Sequence, residues 1–307
     1  MRACCKSKPV YRLYNGEDLC RKHFIEYIER KVKKTVSNYN LIGKKEKLMV
    51  ACSGGKDSTT VLYVLNKLNK NPNVKIEAFH IDVGIGNYSK QNLKNIREFC
   101  KKHKIKLHET SFRKEFGYSL CYIRSALKER GVKLKSCTIC GSLKRYLINL
   151  TARKTKATKV VTGHNLDDEA QSVIMNIFKN NVEVMKRLGP ITGVLRDKKF
   201  VPRIKPLYFC TEKETTLYSK LNKFKVVYAK CPCSVDAYRR QVGNMLNEFD
   251  ERHPGTKHSV INSFLEILPS IKKEVKGELK YCQLCGEPSN KNICNVCGIV
   301  KKLKAKS

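Results

Sequence analysis

The sequence predicts an α/β protein: a doubly wound parallel sheet with helices on both faces, flanked at each end by a small cysteine-based metal module. Three observations carry this. Between about residues 45 and 275, short apolar runs alternate with runs of helical period, as in a parallel sheet covered on both faces. One apolar run ends in the glycine-rich loop Ser53-Gly54-Gly55-Lys56-Asp57-Ser58, at a strand end, where such sheets bind ligands. Cysteines cluster near both termini.

The elements follow in order. FIEYIERKVKKTV is a charged helical stretch after the first cysteine group. KLMVAC is a buried strand, and a helix begins near Asp57 with Val61, Leu62, Val64, Leu65 and Leu68 on one side. KIEAFHI is the next strand, YSKQNLKNIREFCKKH a helix and IKLHETSF a strand. SLKRYLINLTARKT is helical, TKVVTG a strand, DDEAQSVIMNIFKN helical and KVVYA a strand. The division is an N-terminal module at 1–30, a central α/β domain at 31–275, and a C-terminal module with a basic tail at 276–307.

With 307 residues, 41% of them apolar, the chain is long enough for a substantial core. No apolar run is long enough to span a bilayer, and MRACCKSKPVYRLYN lacks the apolar stretch of a signal peptide. A cytoplasmic location with no membrane partner is expected. The formal charge is +36, from 63 basic and 27 acidic side chains. Nucleic acid is the natural partner, because phosphates engage many cations at once. A generally basic proteome is the bland alternative. The basic residues run along the whole chain, so composition singles out no docking face. Fifteen cysteines in such a chain point to metal rather than disulfides.

The loop is not a Walker A motif: Val50 stands where the first glycine would fall and Asp57 where the hydroxyl would. The physics is similar. Gly54 and Gly55 let the backbone approach a ligand, the helix start points N–H groups at an anion, Lys56 adds a charge, and Ser53 and Ser58 add hydroxyls. SGGKDS resembles the pyrophosphate loop of the PP-loop ATP pyrophosphatases, of the adenine-nucleotide α-hydrolase fold. These enzymes split ATP between its α and β phosphates and transfer AMP. VVTGHNLDDEA is similar to a second motif of that family, with Gly163 in a tight turn. The resemblance implies that Asp168, with Asp57, handles Mg²⁺ or the reacting centre. FHIDVGIG resembles the strand end beside the adenosine, which implies His80 and Ile81 as contacts.

Cys282, Cys285, Cys294 and Cys297 form two CxxC knuckles, each followed by glycine, the spacing of a closed tetrahedral zinc site. Cys4, Cys5, Cys20 and His23 form a second candidate zinc set, with an irregular first pair because Cys4 and Cys5 are adjacent. A third set differs. Cys137 and Cys140 lie in SCTICG between helical stretches, and Cys231-Pro232-Cys233 follows KVVYA. Three thiolates can hold a [4Fe–4S] cluster and leave one iron open. A persulfide with a resolving thiol is the alternative, and buried packing suits Cys100 or Cys121 better.

Together, SGGKDS, GHNLDD, CTIC, the late Cys-Pro and the flanking knuckles resemble the tRNA 2-thiouridine synthetases over nearly the whole chain, SLKRY and AYRRQVGNMLNEFDERHPG included. The resemblance implies Cys231 as third cluster ligand, with Cys233 competing, and Lys144 near the reacting centre. It implies ATP, Mg²⁺, one [4Fe–4S] cluster and two Zn²⁺ sites. It also implies tRNA as substrate, sulfide or a ubiquitin-like sulfur-carrier thiocarboxylate as donor, and a homodimer. The target is a uridine, read as the wobble position 34 because the chain is rich in Asn and Cys, which hyperthermophile proteins avoid. The alternatives are T-loop position 54, a tRNA 2-thiocytidine synthetase and a non-catalytic zinc-ribbon RNA-binding protein.

Overall fold

The computed structural model describes residues 5, 7–192, 199–229, 231–234, 238–272 and 280–304. An antiparallel hairpin of β1 (Pro9–Arg12) and β2 (Asp18–Cys20) leads into α1 (Arg21–Asn38). Then follow β3 (Glu46–Cys52), α2 (Lys56–Leu68), β4 (Val74–Asp82), α3 (Gly86–Lys102) and β5 (Leu107–Ser111). Helices α4 (Phe112–Phe116), α5 (Leu120–Glu129) and α6 (Ser136–Lys154) precede β6 (Lys159–Val161), α7 (Leu166–Phe178) and α8 (Val182–Met185). The remainder is β7 (Ile191–Thr192), β8 (Arg203–Ile204), α9 (Glu212–Leu221), a 3-10 turn (Pro232–Ser234), α10 (Tyr238–Arg252), α11 (Thr256–Lys272) and α12 (Asn295–Lys304).

The main sheet has the order β5-β4-β3-β6-β8-β7. All its pairings are parallel except that of β7 with β8. The chain runs outward from β3 to β5, then returns to place β6 on the other side of β3. That reversal opens a crevice beyond the carboxyl ends of β3 and β6, where open α/β sheets take their ligands. SGGKDS follows β3 and TGHNLDD follows β6, so both predicted loops lie at this crevice.

Alternation along the strands assigns the two faces. Leu48, Val50 and Cys52 of β3 face one core, shared with Val61 and Leu62 of α2, Phe24 and Ile28 of α1, and Phe99 of α3. Met49 and Phe79 face the opposite way, toward Ala152 of α6. The charged stretch of α1 is helical because Phe24, Ile28, Val32 and Thr35 fall on one buried stripe. Helices α7, α10 and α11 share a further core. In another, Val296, Ile299 and Leu303 of α12 pack against α5 and α6. No helix among the described residues is long and apolar enough to cross a membrane.

Two expectations change. Among the described residues KVVYA belongs to no strand. Val226 and Val227 are only half-buried, and side chains tie the stretch down instead: Lys225 to Glu98 at 3.3 Å, and the Tyr228 and Ser219 hydroxyls at 2.9 Å. CTIC does not lie between helices but forms the first turn of α6. The N–H groups of Thr138 and Ile139 both donate to the Lys135 carbonyl, and the buried Ile139 anchors that turn in the core.

Candidate active site

The loop after β3 closes on its own hydroxyls. Ser58 Oγ accepts from the Ser53 N–H at 3.2 Å and donates to the Gly55 carbonyl at 3.1 Å, and Ser53 Oγ accepts from the Gly55 N–H at 3.3 Å. Gly54 has φ +83°, a region that disfavours side chains, and a Cβ there would lie 2.7 Å from Asn92. Helix α2 then starts at Lys56, presenting its first-turn N–H groups to an anion. Burial alone would lower the Lys56 pKa, but Asp57 at 2.8 Å and Glu212 at 3.2 Å hold it above its usual value. Lys56 is therefore an ammonium.

Asp57 is fully engaged. Its Oδ1 accepts from Thr215 Oγ1 at 2.5 Å and Asn165 Nδ2 at 3.2 Å, and its Oδ2 meets Lys56. It ties α2, α9 and the loop after β6 together. Gly163 lets that loop lie directly on the start of α2: a Cβ there would fall 2.7 Å from the Ser58 nitrogen. Backbone cannot move aside as a flexible side chain can. Gly163→Ala is expected to cost about 1–3 kcal/mol of stability by overpacking, read as a lower urea midpoint, with weakened nucleotide binding.

The two aspartates after β6 divide. Asp167 is buried, 2.6 Å from Lys257 Nζ, and accepts from the Glu212 N–H at 2.6 Å. It holds α7 to α9 and α11. Asp168 forms a capping box with Asn165 and faces Arg239 at 3.7 Å. Burial pushes the Asp168 carboxyl up to about 6, with nearby Asp57 adding and Arg239 opposing. Such a carboxylate is stabilised by an arriving cation, which fits the Mg²⁺ role. His80 is buried with Nδ1 2.8 Å from the Cys52 carbonyl. A carbonyl only accepts, so Nδ1 carries the proton, and burial keeps the ring neutral. Among the described residues, its Nε2 and Asn92 Oδ1 are buried acceptors without a hydrogen-bond partner. Two orphaned acceptors beside the crevice fit a ligand that donates, as adenine or ribose does. Ile81 is partly buried against the same core as the thiols.

Cys137 and Cys140 share the first turn of α6 three residues apart, hence one side of it. Burial raises the Cys140 thiol, while Lys144 acts to lower it and Cys231 to raise it, so all three groups are close. Lys144 also acts to lower the pKa of the His80 ring. Burial raises the Cys233 thiol, with Cys231, Cys121 and Cys140 adding and Arg124 opposing, and its carbonyl lies 4.0 Å from Cys137 Sγ. Tyr88 of α3 joins the two halves, lying near Cys231 and Cys140 and against Asn92, which packs on Gly54.

The terminal groups are tighter. The ligand atoms of Cys282, Cys285, Cys294 and Cys297 all lie within 4.8 Å of one another, as do those of Cys5, Cys20 and His23. Both gatherings fit a single ion. Cys4 lies outside the described residues. Cys137, Cys140 and Cys231 bring three thiols to the crevice, the number that can hold an iron–sulfur cluster with one iron open. Sequence reading missed Tyr88, Asn92, Glu212 and Thr215, which carry no local motif; Arg239 sits in the quoted AYRRQ.

A phosphate loop at the switch point of a doubly wound sheet, with thiols at the same crevice, defines a PP-loop nucleotide-binding site. The PP-loop domain profile matches residues 25–240. The chain is 35% identical to the tRNA-5-methyluridine(54) 2-sulfurtransferase of Pyrococcus horikoshii, over 99% of this chain and 95% of that protein. It is 28% identical to the tRNA 2-thiolation protein NcsA of Haloferax volcanii, over 98% of each. It resembles the solved U34-tRNA thiolase NcsA from Methanococcus maripaludis, with its [4Fe–4S] cluster, at TM-score 0.82 and 29% identity, covering 100% and 98% of the two chains. The chain belongs to the PP-loop family and, within it, to the tRNA sulfurtransferases.

Proposed function

We propose that this chain 2-thiolates a tRNA uridine at wobble position 34, with ATP as activating substrate. The observation that carries the reading is the convergence of the phosphate loop and the Cys137, Cys140 and Cys231 thiols on one crevice, joined by Tyr88 and Asn92.

The uridine O2 attacks the α-phosphate of ATP, and pyrophosphate leaves. The loop N–H groups and Lys56 stabilise charge on the phosphates. Asp168 would help hold Mg²⁺ there, offsetting phosphate charge, and Asp57 holds Lys56 and the loop after β6 in place. Sulfur then attacks C2, a C–S bond forms, and the C2–O bond breaks with AMP as leaving group. Lys144 lies beside this centre and offsets the negative charge. When bound by Cys137, Cys140 and Cys231, a [4Fe–4S] cluster supplies an open iron that holds sulfur. Cys231 is assigned as the third ligand because its thiol acts on both Cys140 and Tyr88 at the crevice. The donor is sulfide, or a sulfur-carrier thiocarboxylate whose acyl–sulfur bond water then cleaves, releasing the carrier as its carboxylate.

The two terminal sites take zinc, with Cys4 completing the N-terminal one. Metal analysis of Cys285→Ser is expected to lose about one zinc per chain with a lower melting temperature.

Oxygen-free incubation of reconstituted protein with unmodified tRNA, Mg-ATP and sulfide is expected to yield 2-thiouridine, with fragment sequencing placing it at 34. Placement at 54 would move the site to the T loop. 2-Thiocytidine, or no thionucleoside and no AMP, would overturn the reading.

A further inference from the structure

Two arginines at the crevice are left without a role by this chemistry. Arg145 stands on α6 after Cys140, and Arg203 on β8. Arg203 Nη2 donates to the Arg145 carbonyl at 3.4 Å. The Arg145 guanidinium folds back over Gly141, where a Cβ would lie 2.9 Å from Nη1. Each side chain is thus held in place, Arg203 by a carbonyl and Arg145 by close packing.

The surroundings are cationic. Lys205 is neutralised by Glu169 at 2.7 Å, and Arg239 faces Asp168 at 3.7 Å. Among the described residues, no ion pair joins Arg145 or Arg203 to an acid. Burial lowers the pKa of both, and Arg145 lowers that of Arg203 further. Arg145 is nevertheless open to solvent. Two like charges in fixed geometry, with no acid to offset them, form a preorganised anion site.

Its position decides which anion. Ile204 faces the core shared with α2, so the neighbouring Arg203 points to the opposite, α6 face of the sheet. The phosphate loop opens α2 and already has Lys56 for the phosphates of ATP. The arginines stand instead on the side of the thiols, where the RNA strand must pass to bring a base to the crevice.

We propose that Arg145 and Arg203 together grip one backbone phosphate of the RNA beside the target uridine. This rests on the tRNA reading above. The test is tRNA affinity against salt concentration, using the reconstituted protein, with affinity for a non-hydrolysable ATP analogue measured in parallel. Arg145→Gln and Arg203→Gln are each expected to weaken tRNA binding about 5–10-fold and to reduce the log–log salt slope by about one. ATP-analogue affinity should stay unchanged. Arg203→Lys should keep the slope yet bind tRNA more weakly than wild type, since the planar fork is lost. Unchanged tRNA affinity and slope in folded variants would overturn the proposal, as would weaker nucleotide binding with intact tRNA binding. If the Gln variants do not fold, Arg203→Lys decides: wild-type tRNA affinity would sink the idea. If the wild-type protein binds no tRNA, the proposed function itself fails.

Discussion

Cys140→Ala is expected to abolish 2-thiouridine formation while leaving tRNA binding and ATP-analogue binding intact. Alanine is the best helix former, so the first turn of α6 should survive the change. Cys140 is only partly buried, and its neighbour Ile139 carries the packing of that turn. The loss is therefore chemical rather than structural. Changes to groups that merely support a metal ligand already cost 10–100-fold; deleting a ligand is expected to cost about 10²-fold or more in thiolation, with loss of the visible absorbance of the reconstituted cluster. Cys233→Ala should keep that absorbance, because Cys231 is the proposed third ligand, acting on both Cys140 and Tyr88. Normal thiolation by the Cys140 variant would rule out the cluster reading.

Asp168→Asn is expected to lower thiolation and AMP release by roughly 10²–10³-fold and at the same time to stabilise the ligand-free protein at neutral pH. The amide can still accept the cap hydrogen bond from the Asn165 N–H, now made to Asp168 at 3.3 Å. What changes is charge. With its carboxyl pushed up to about 6, the folded protein holds this proton more tightly than the unfolded chain does. Stability from this group is thus fully present below the unfolded carboxylate range and is lost as pH rises through about 6. The side chain is 35% exposed, so solvent screening reduces the gain on substitution to about 1 kcal/mol. Urea denaturation at pH 5 and pH 7.5 tests this: the variant's advantage should appear at the higher pH and shrink at the lower. An advantage at pH 5 that vanishes at pH 7.5 would reverse the sign and exclude the argument. Mg-ATP should narrow the difference by binding the wild type more tightly.

Several features were legible because the information is local. The period of apolar residues in KLMVAC, in the helix after Asp57 and in YSKQNLKNIREFCKKH reports which faces are buried, and these became β3, α2 and α3. SGGKDS acts through the backbone of consecutive residues, so its spelling nearly dictates its shape. The C-terminal cysteine knuckles are similar: Cys282 and Cys285 fall in one tight turn, and Gly286 has φ +67°, which makes ligand spacing readable without the fold. KVVYA shows the limit of such reading. Its residues favour a strand, but strand pairing is a long-range choice, and here side chains rather than a ladder hold the stretch.

By itself, then, the sequence determined the α/β class, the phosphate loop, the C-terminal metal knuckle and the strong positive charge, all set by neighbours along the chain. Only the tertiary structure decided which distant groups meet. It brought Thr215 to Asp57, Lys257 to Asp167, Cys231 to Cys140 and Arg203 to Arg145. It also distinguished two adjacent aspartates, burying Asp167 in an ion pair and leaving Asp168 at the crevice. The reason is the sheet order. Returning β6 to the far side of β3 is a long-range packing choice, and the crevice exists only once that choice is made.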